Sequence, residues 1–270
     1  MSADILIKTR AALLDALDAL QAHRDSLVVI GAQAVYLRTS SGSVALAETT
    51  KDSDLVVDPR ELNDDPLLET ALTDAGFAYD LQANQPGAWL SPTGIPVDLM
   101  IPEQVAGGPG RRGGRIPPHS KQATRRARGL EAAVVDNSLM DIKSLDPTDQ
   151  RNYNARVAGP AALLVAKAHK IGERLETKPS RLDDKDAHDA YRIFVDVSTE
   201  ELAAAFAMLR EHEVSATATS EAVDYLRNLF AAGPDAPGSM RAGRAEEGIG
   251  EPATVALQTS ILADDLIKAL

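Results

Sequence analysis

Two aspartates, Asp52 and Asp54, stand directly in front of the apolar run at residues 55–57. If this run is a strand, both side chains point to the same side of it, because strand side chains alternate with a period of two. A third aspartate, Asp98, lies inside another short apolar run, PVDLMI. A carboxylate in such a run is costly to bury unless it is paired or bound to a metal.

Three carboxylates from two adjacent strands can hold a pair of Mg²⁺ ions, because Mg²⁺ takes hard oxygen ligands. Two such ions clamp the attacking and leaving oxygens of a displacement at phosphorus. The alternative interpretation is that Asp52 and Asp54 are solvated loop acids and that Asp98 faces water from an edge. D-x-D patterns are frequent by chance, so the acids alone leave both interpretations open.

The sequence VVIGAQA at residues 28–34 reads as a strand, a small-residue turn and the start of a helix. A helix N-terminus with exposed backbone N–H groups and small side chains can receive a phosphate. One Gly-Ala turn by itself indicates only tight packing. Followed by a D-x-D and a third aspartate on a neighbouring strand, it favours a site for phosphate chemistry.

The elements that must position these residues divide into two halves. Before about residue 150, the patterns predict strands at 26–30, 77–80, 88–91, 95–101 and 129–135, a strand that follows the D-x-D, and helices at 3–23 and 61–76. From Gly159 onward, helical patterns dominate, at 160–177, 183–196, 199–212, 219–231 and 251–269. Ser198 with Glu201 forms a capping box for the third of these helices. We predict an α+β fold, with a small mixed sheet in a domain at 1–150 and an all-helical domain at 151–270.

Composition excludes several classes of protein. With 270 residues and 44% apolar composition, the chain can bury a sizeable core. The absence of cysteine excludes disulfides, thiolate nucleophiles and cysteine zinc sites. No apolar run approaches the ~18 residues of a membrane span, and the amphipathic, acid-containing N-terminus does not read as a signal peptide. We expect a cytoplasmic protein without a membrane partner.

Cationic side chains recur at helical spacing in the second half. Lys167, Lys170 and Arg174 stand at i, i+3 and i+7 and therefore share one helix face. Such a face can hold the phosphates of a nucleotide, but a solvated charged helix gives the same pattern. His169 and His188 are predicted to be packing or hydrogen-bonding residues, because no second histidine lies at metal-ligand spacing.

The combined order of motifs resembles a known superfamily. A strand, a Gly-Ala turn, a helix, a D-x-D and a later lone aspartate are similar to the nucleotidyltransferases related to DNA polymerase β. The segments GPAALLVAKAHKIGER (159–174) and DKDAHD (184–189) resemble AbiEii-type toxins, including the mycobacterial nucleotidyltransferase toxins. The resemblance covers about residues 26–195. Two departures are Ala32, where that family has Gly or Ser, and a spacing from Gly31 to Asp52 that is longer by roughly half a dozen residues.

The resemblance implies an enzyme that moves a nucleoside monophosphate from an NTP to an RNA acceptor, with a tRNA 3′ end expected, as the toxin of a toxin–antitoxin system. Its fold would be a nucleotidyltransferase core followed by the helical domain. Two Mg²⁺ ions would be bound by Asp52, Asp54 and Asp98, and Asp98 would also help to deprotonate the attacking hydroxyl. Catalytic roles are also expected for Lys167 and Lys170. The remaining residues expected at the nucleotide are Gly31, Ala32, Gln33, Arg174, Lys185, Asp186 and Asp189, the last three to orient the site or pair with the cationic face.

Net charge and its distribution indicate a second kind of contact. The net charge of −12 argues against coating of nucleic acid by the whole surface. The segment 107–130 nevertheless has no acid and holds seven of the 28 basic residues, namely Arg111, Arg112, Arg115, Lys121, Arg125, Arg126 and Arg128. As a flexible loop it would bind RNA phosphates without base specificity. The alternative is that it contacts the acidic remainder of the chain or an acidic antitoxin, and we favour the polynucleotide.

Three other functions remain open at this stage. Ala32 and the long spacing to Asp52 favour a catalytically degenerate nucleotidyltransferase fold, used for binding or as an antitoxin partner. The same machinery can also transfer a nucleotide to a protein side chain or a small molecule. A metal-dependent phosphohydrolase is the third alternative, and it would release free phosphate rather than label an acceptor.

Overall fold

The computed structural model describes residues 2–39, 50–108 and 112–270. Over these ranges the protein is of mixed α/β type, with a mixed sheet and a helical C-terminal region. The helices are α1 (Ser2–Ala19), α2 (Gly31–Arg38), α3 (Leu68–Asp74), α4 (Pro160–Thr177), α5 (Asp184–Asp196), α6 (Thr199–Glu211), α7 (Ala216–Leu226), α8 (Pro237–Arg244) and α9 (Pro252–Ala269). The strands are β1 (Leu27–Ile30), β2 (Ser53–Val57), β3 (Ala78–Tyr79), β4 (Ala88–Leu90), β5 (Pro96–Pro102), β6 (Arg125–Ala127), β7 (Asn137–Lys143) and β8 (Asn152–Ala158).

The described residues fall into two compact units. Unit 1 contains residues 2–34, 50–108, 112–130 and 137–158, and therefore the whole sheet. Unit 2 contains residues 35–39, 131–136 and 159–270, and therefore helices α4 to α9. The main change from one unit to the other falls between β8 and α4.

The sheet of unit 1 has the strand order β3-β4-β5-β2-β1-β8-β7, and β6 pairs with the C-terminal end of β5. Its centre is mixed: β2 runs parallel to β5 and antiparallel to β1, and β1 runs parallel to β8. The central strands are almost wholly apolar, as expected for strands covered on both faces. Helix α1 packs on β2 and β5, and Leu13, Leu14, Val29 and Leu55 are fully buried there. Each such side chain contributes about 1.5–3 kcal/mol on burial.

The strands that carry Asp54 and Asp98 lie close to their predicted places, but other predictions for this half were wrong. Residues 131–135 form turns rather than a strand, and Leu130, Ala132 and Ala133 are nevertheless buried. The predicted helix at 61–76 shortens to α3, which begins after Pro66 because a proline restricts the residue before it to extended backbone. Strands β7 and β8 were not predicted, although Tyr153, Ala155 and Val157 of β8 alternate with polar residues; β7 shows no such alternation.

The helices of unit 2 lie close to their predicted places, apart from α8. Helix α8 was not predicted, because its Gly and Pro residues do not give a helical pattern. Helix α4 begins with Gly159 as N-cap and Pro160 at the first helical position, where the missing N–H has no cost. Asp136 accepts the N–H of Ala162 at 3.1 Å, which satisfies one open donor of that first turn. The Ser198 hydroxyl accepts the N–H of Glu201, which confirms the predicted cap of α6.

Close packing in unit 2 depends on a glycine within α4. A Cβ atom at Gly172 would collide with the ring of Tyr225 on α7, so the two helices approach closely at this point. Helices α5, α8 and α9 pack against one another beside them. Within the described residues, no helix is both long enough and apolar enough to cross a membrane.

Candidate functional site

Two of the three predicted acids lie side by side. In the parallel pairing of β2 with β5, Asp54 is in register with Asp98, so the two side chains leave the same face of the sheet from neighbouring strands. Both residues are partly exposed, whereas their strand neighbours Ser53, Leu55 and Val97 are buried. We call Asp54 and Asp98 the acidic pair. Like charges placed opposite each other repel, so a nearby cation stabilises an arrangement of this kind.

Gly31 brings the start of α2 against this pair. It follows β1, whose last residue, Ile30, is paired with Asp54, and it has a positive φ of 67°. A Cβ atom at Gly31 would collide with Oδ2 of Asp54. The predicted tight turn therefore has two physical requirements for glycine: the left-handed backbone and the space taken by the Asp54 carboxylate.

This geometry predicts the effect of Gly31→Ala. The new methyl group has to displace the Asp54 carboxylate, in addition to the ~1 kcal/mol that the left-handed backbone costs a residue with a Cβ. We expect a loss of stability of about 2–3 kcal/mol, together with a loss of any activity that depends on Asp54. Chemical denaturation of the variant measures the first effect.

Gly94 provides the matched control. It has a φ of 78°, and a Cβ atom there meets no atom within 4 Å. Gly94→Ala should therefore show the backbone cost alone. Equal losses of stability for the two variants would mean that the Asp54 carboxylate does not constrain Gly31.

Asp52, the third predicted acid, precedes β2 and is exposed. Its carboxylate accepts a hydrogen bond from the Thr50 hydroxyl at 2.8 Å, which holds it in the loop. Over residues 2–39, 50–108 and 112–270, no group of three His, Cys, Asp or Glu side chains is close enough to share a metal ion. Of the three predicted acids, Asp54 and Asp98 are the two that lie together and offer hard oxygen donors to a divalent cation.

Arg125 provides a cation next to the acidic pair. Its Nη2 donates to Oδ2 of Asp98 at 2.8 Å, and the two side chains are only 27% and 20% exposed. The same nitrogen lies 3.1 Å from the sulfur of Met100, which is opposite Arg125 in the pairing of β5 with β6. Arg125 was predicted to contact RNA, and in the structure it is the counter-ion of Asp98.

The two other residues predicted to hold a nucleotide in this turn are buried. Ala32 is part of the core, and Gln33 is only 1% exposed. The Gln33 side chain accepts a hydrogen bond from Arg10 at 2.9 Å and donates one to Thr9 at 3.2 Å. Both hydrogen bonds join Gln33 of α2 to residues of α1, so its amide has a structural role.

A second cluster of charges is found in unit 2. Lys167 is buried and donates to Asp186 at 2.8 Å and to Asp189 at 2.6 Å. Asp186 also accepts from Lys170 at 2.8 Å and from Arg174 at 3.2 Å. We call these five residues the Lys167 cluster. The predicted pairing of Asp186 and Asp189 with the cationic face of α4 is present.

Charge pairing overcomes the cost of burying this cluster. Burial by itself would lower the pKa of Lys167, but the charges of Asp186 and Asp189 outweigh it and raise the pKa well above its usual value. Burial would likewise raise the pKa of Asp186, and the charges of Lys167 and Lys170 outweigh it and lower the pKa. Lys167 and Asp186 are therefore both ionised at neutral pH. Lys170 and Arg174 are the more exposed cations of the cluster.

The remaining residues of these helices have structural contacts. The backbone N–H of Lys185 donates to Asp183, the N-cap of α5. The ring of His188 lies 2.5 Å from Oε1 of Glu246, and that of His169 lies 2.8 Å from the carbonyl oxygen of Ala218. These contacts confirm the prediction that the two histidines are hydrogen-bonding residues.

The described part of the basic segment is folded, which corrects the expectation of a flexible loop. Backbone hydrogen bonds of 2.8 Å join Arg115 to Ala106, Arg126 to Arg112 and Gly87 to Gln122. Glycines allow these close approaches: a Cβ atom at Gly107 or Gly113 would collide with a backbone carbonyl of the same segment.

This fold gives the cations of the basic segment different surroundings. Arg125 is bound to Asp98, Arg126 donates to the carbonyls of Glu103, Gly107 and Gly108, and Arg128 lies 3.5 Å from a carboxylate oxygen of Glu103. Arg111 lies outside the described residues. Arg112, Arg115 and Lys121 are exposed and line one cleft of about 670 Å³. We call it the basic cleft.

The residues outside the basic segment that line the basic cleft were missed by sequence reasoning. They come from the end of β3 and the turn between β3 and β4, namely Tyr79, Asp80, Leu81, Asn84, Gln85 and Pro86. The only signal in the sequence was an aromatic residue in a short strand, followed by a polar turn. Nothing in that pattern indicates that the turn lies against residues some thirty positions further along the chain.

No protein-family model, no curated protein and no solved structure matches this chain.

Proposed function

We propose that the protein is a Mg²⁺-dependent nucleotidyltransferase, which moves a nucleoside monophosphate from an NTP to an RNA acceptor, with a tRNA 3′ end as the expected acceptor. One observation carries the proposal: Asp54 and Asp98 are in register on parallel strands, and the glycine turn into α2 packs against Asp54. The sequence motifs agree with it. The assignment as a toxin with an antitoxin partner rests on resemblance alone and stays a prediction.

The donor set of the acidic pair fits a divalent cation, because two carboxylates in register supply hard oxygen ligands. Asp54 and Asp98 would hold the metal, whereas Asp52 lies in the loop before β2 and is not close enough to both of them to share it. When bound, Mg²⁺ would neutralise charge on the phosphate oxygens.

Arg125 has a defined part in this proposal. It pairs with Asp98, the carboxylate that would bind the cation or accept a proton from an attacking hydroxyl. It also provides a positive charge next to the acidic pair in the absence of metal. A bound cation and Arg125 would therefore compete for Asp98, which makes metal affinity sensitive to this arginine.

The proposal is tested by incubating the protein with Mg²⁺, each labelled NTP in turn, and tRNA. We expect label to become attached to the RNA and pyrophosphate to be released. Release of inorganic phosphate without labelled RNA would identify a phosphohydrolase instead. Unchanged tRNA with all four NTPs would refute the assignment of the acceptor, and total RNA or protein would then be the next acceptors to test.

A second candidate function is RNA or protein binding without transfer. The observation that favours it is the pairing of Arg125 with Asp98, since an acid that is already neutralised is less available to a metal. Calorimetry distinguishes the two functions. NTP binding that depends on Mg²⁺ and disappears in Asp54→Asn supports the transferase, whereas metal-independent binding supports the second candidate.

A further inference from the structure

We infer that the basic cleft binds a single-stranded RNA segment, with its phosphates on Arg112, Arg115 and Lys121 and a base against Tyr79 and Leu81. This inference deepens the proposed function, because it gives the acceptor a binding site, and in that respect it rests on it. The binding itself can be measured without any transfer.

The charge of the cleft selects an anion. Its lining contains three cations and a single acid, Asp80. The Oδ1 atom of Asp80 accepts the backbone N–H groups of Gln82 and Ala83 at 2.9 and 3.2 Å, so this carboxylate is engaged in its own turn. Among the described residues, Arg112, Arg115 and Lys121 form no ion pair, in contrast to Arg125 and Arg128 of the same segment. Cations that the protein does not neutralise are available to phosphates.

The apolar part of the cleft favours a ligand that also has a planar group. Tyr79 stacks on the buried Trp89, with ring centroids 4.0 Å apart, and the Trp89 N–H is bonded to the carbonyl of Ala123. The Tyr79 ring is therefore fixed in place. Leu81 next to it is 87% exposed, the largest value among the exposed large apolar side chains of the described residues. A fixed aromatic ring beside cations is the common arrangement for binding single-stranded nucleic acid.

The polar side chains of the cleft complete the match. Asn84, Gln85 and Gln122 offer amide donors and acceptors of the kind that read the edges of an unpaired base. The cleft volume of about 670 Å³ lies within the ~300–1,000 Å³ of typical ligand sites. An acidic peptide would satisfy the cations, but it has no base to place on Tyr79 and Leu81. The observations therefore favour RNA over an acidic protein partner.

Fluorescence anisotropy with a labelled single-stranded RNA that copies the 3′ strand of a tRNA tests the inference, in the absence of NTP. Arg112→Gln/Arg115→Gln should weaken binding about tenfold and reduce the slope of log affinity against log salt by about 0.7 for each phosphate that the variant no longer neutralises. Leu81→Ser should weaken binding about threefold, since it removes an apolar contact from an exposed site that the fold does not need.

Arg24→Gln/Lys143→Gln is the matched control. Both residues are exposed in unit 1 and lie outside the cleft, and this double variant changes the net charge by the same amount as Arg112→Gln/Arg115→Gln. Equal weakening by the two double variants would refute the cleft as the site and indicate a diffuse charge effect. Displacement of the RNA by a polyglutamate peptide of equal charge, at equal concentration, would favour an acidic protein partner and overturn the inference. Absence of RNA binding by the native protein would overturn it directly. Binding without transfer would leave the cleft intact and refute only the enzyme.

Discussion

Asp54→Asn is expected to reduce the proposed nucleotide transfer by roughly a thousandfold. The substitution keeps the shape of the side chain but removes one of the two adjacent negative charges on the sheet. Losing one group that stabilises charge in the transition state costs about 10²–10³ in rate, and the removal of a metal ligand also weakens metal binding. Initial rates of label transfer to RNA, at saturating Mg²⁺ and NTP, measure the effect.

The same variant should lose activity without losing stability. Because Asp54 and Asp98 are in register, removing one charge relieves a repulsion of about 0.2–1 kcal/mol. The melting temperature of Asp54→Asn should therefore be equal to or higher than that of the native protein. A pair of acids with a purely structural role would give the reverse, a clear loss of stability with no change in any activity.

Asp141→Asn is the control for this experiment. Asp141 is an exposed carboxylate on β7 of the same sheet, and it accepts a hydrogen bond from Asn154 at 3.0 Å. Strand β7 lies three places from β2 in the strand order. Transfer by Asp141→Asn should remain at the native rate. If both variants were equally impaired, the acidic pair would have no special role.

Lys167→Met is expected to destabilise the protein by about 3–5 kcal/mol. The substitution removes a buried cation, and Asp189, whose side chain is 2% exposed, is then left without the charge that neutralises it. Breaking a buried ion pair on one side costs this amount, because an uncompensated charge remains in a medium of low polarity. Denaturant unfolding followed by circular dichroism measures the loss, which corresponds to roughly 10 °C in melting temperature.

Two further variants separate the charge effect from packing. Lys167→Met/Asp189→Leu removes both partners, leaves Asp186 paired with Lys170 and Arg174, and should recover most of the stability that Lys167→Met removes. Lys170→Met is made on the same helix at a side chain that is 44% exposed, and should cost less than about 1 kcal/mol because solvent screens that pair. A double variant no more stable than Lys167→Met would show that Lys167 acts through packing alone.

Local features of unit 2 could be predicted from the sequence with little error. Pro160 after Gly159 and the Ser198 cap define helix starts through contacts within a single turn. The spacing of Lys167, Lys170 and Arg174 predicted a cationic face, and the pairing of Asp186 and Asp189 with that face was one of two roles that the resemblance implied for them. Which of the cations would be buried was not predictable, because that depends on how α4 packs against α5.

The sequence by itself determined which residues could do chemistry: the D-x-D before an apolar run, Asp98 inside another, and a cationic segment without acids. Side-chain alternation in a strand and periodicity in a helix are local properties, so these patterns can be recognised in the sequence without knowledge of the fold.

Only the tertiary structure decided what those residues contact. The register of β2 with β5 places Asp54 beside Asp98, and β6 brings Arg125 to Asp98, although 27 residues separate these two in the chain. The basic segment was one feature in the sequence, and in the structure it is divided between internal counter-ions and a cleft. Pairing of strands distant in the chain depends on the burial of both faces of the sheet, and no local pattern encodes that burial.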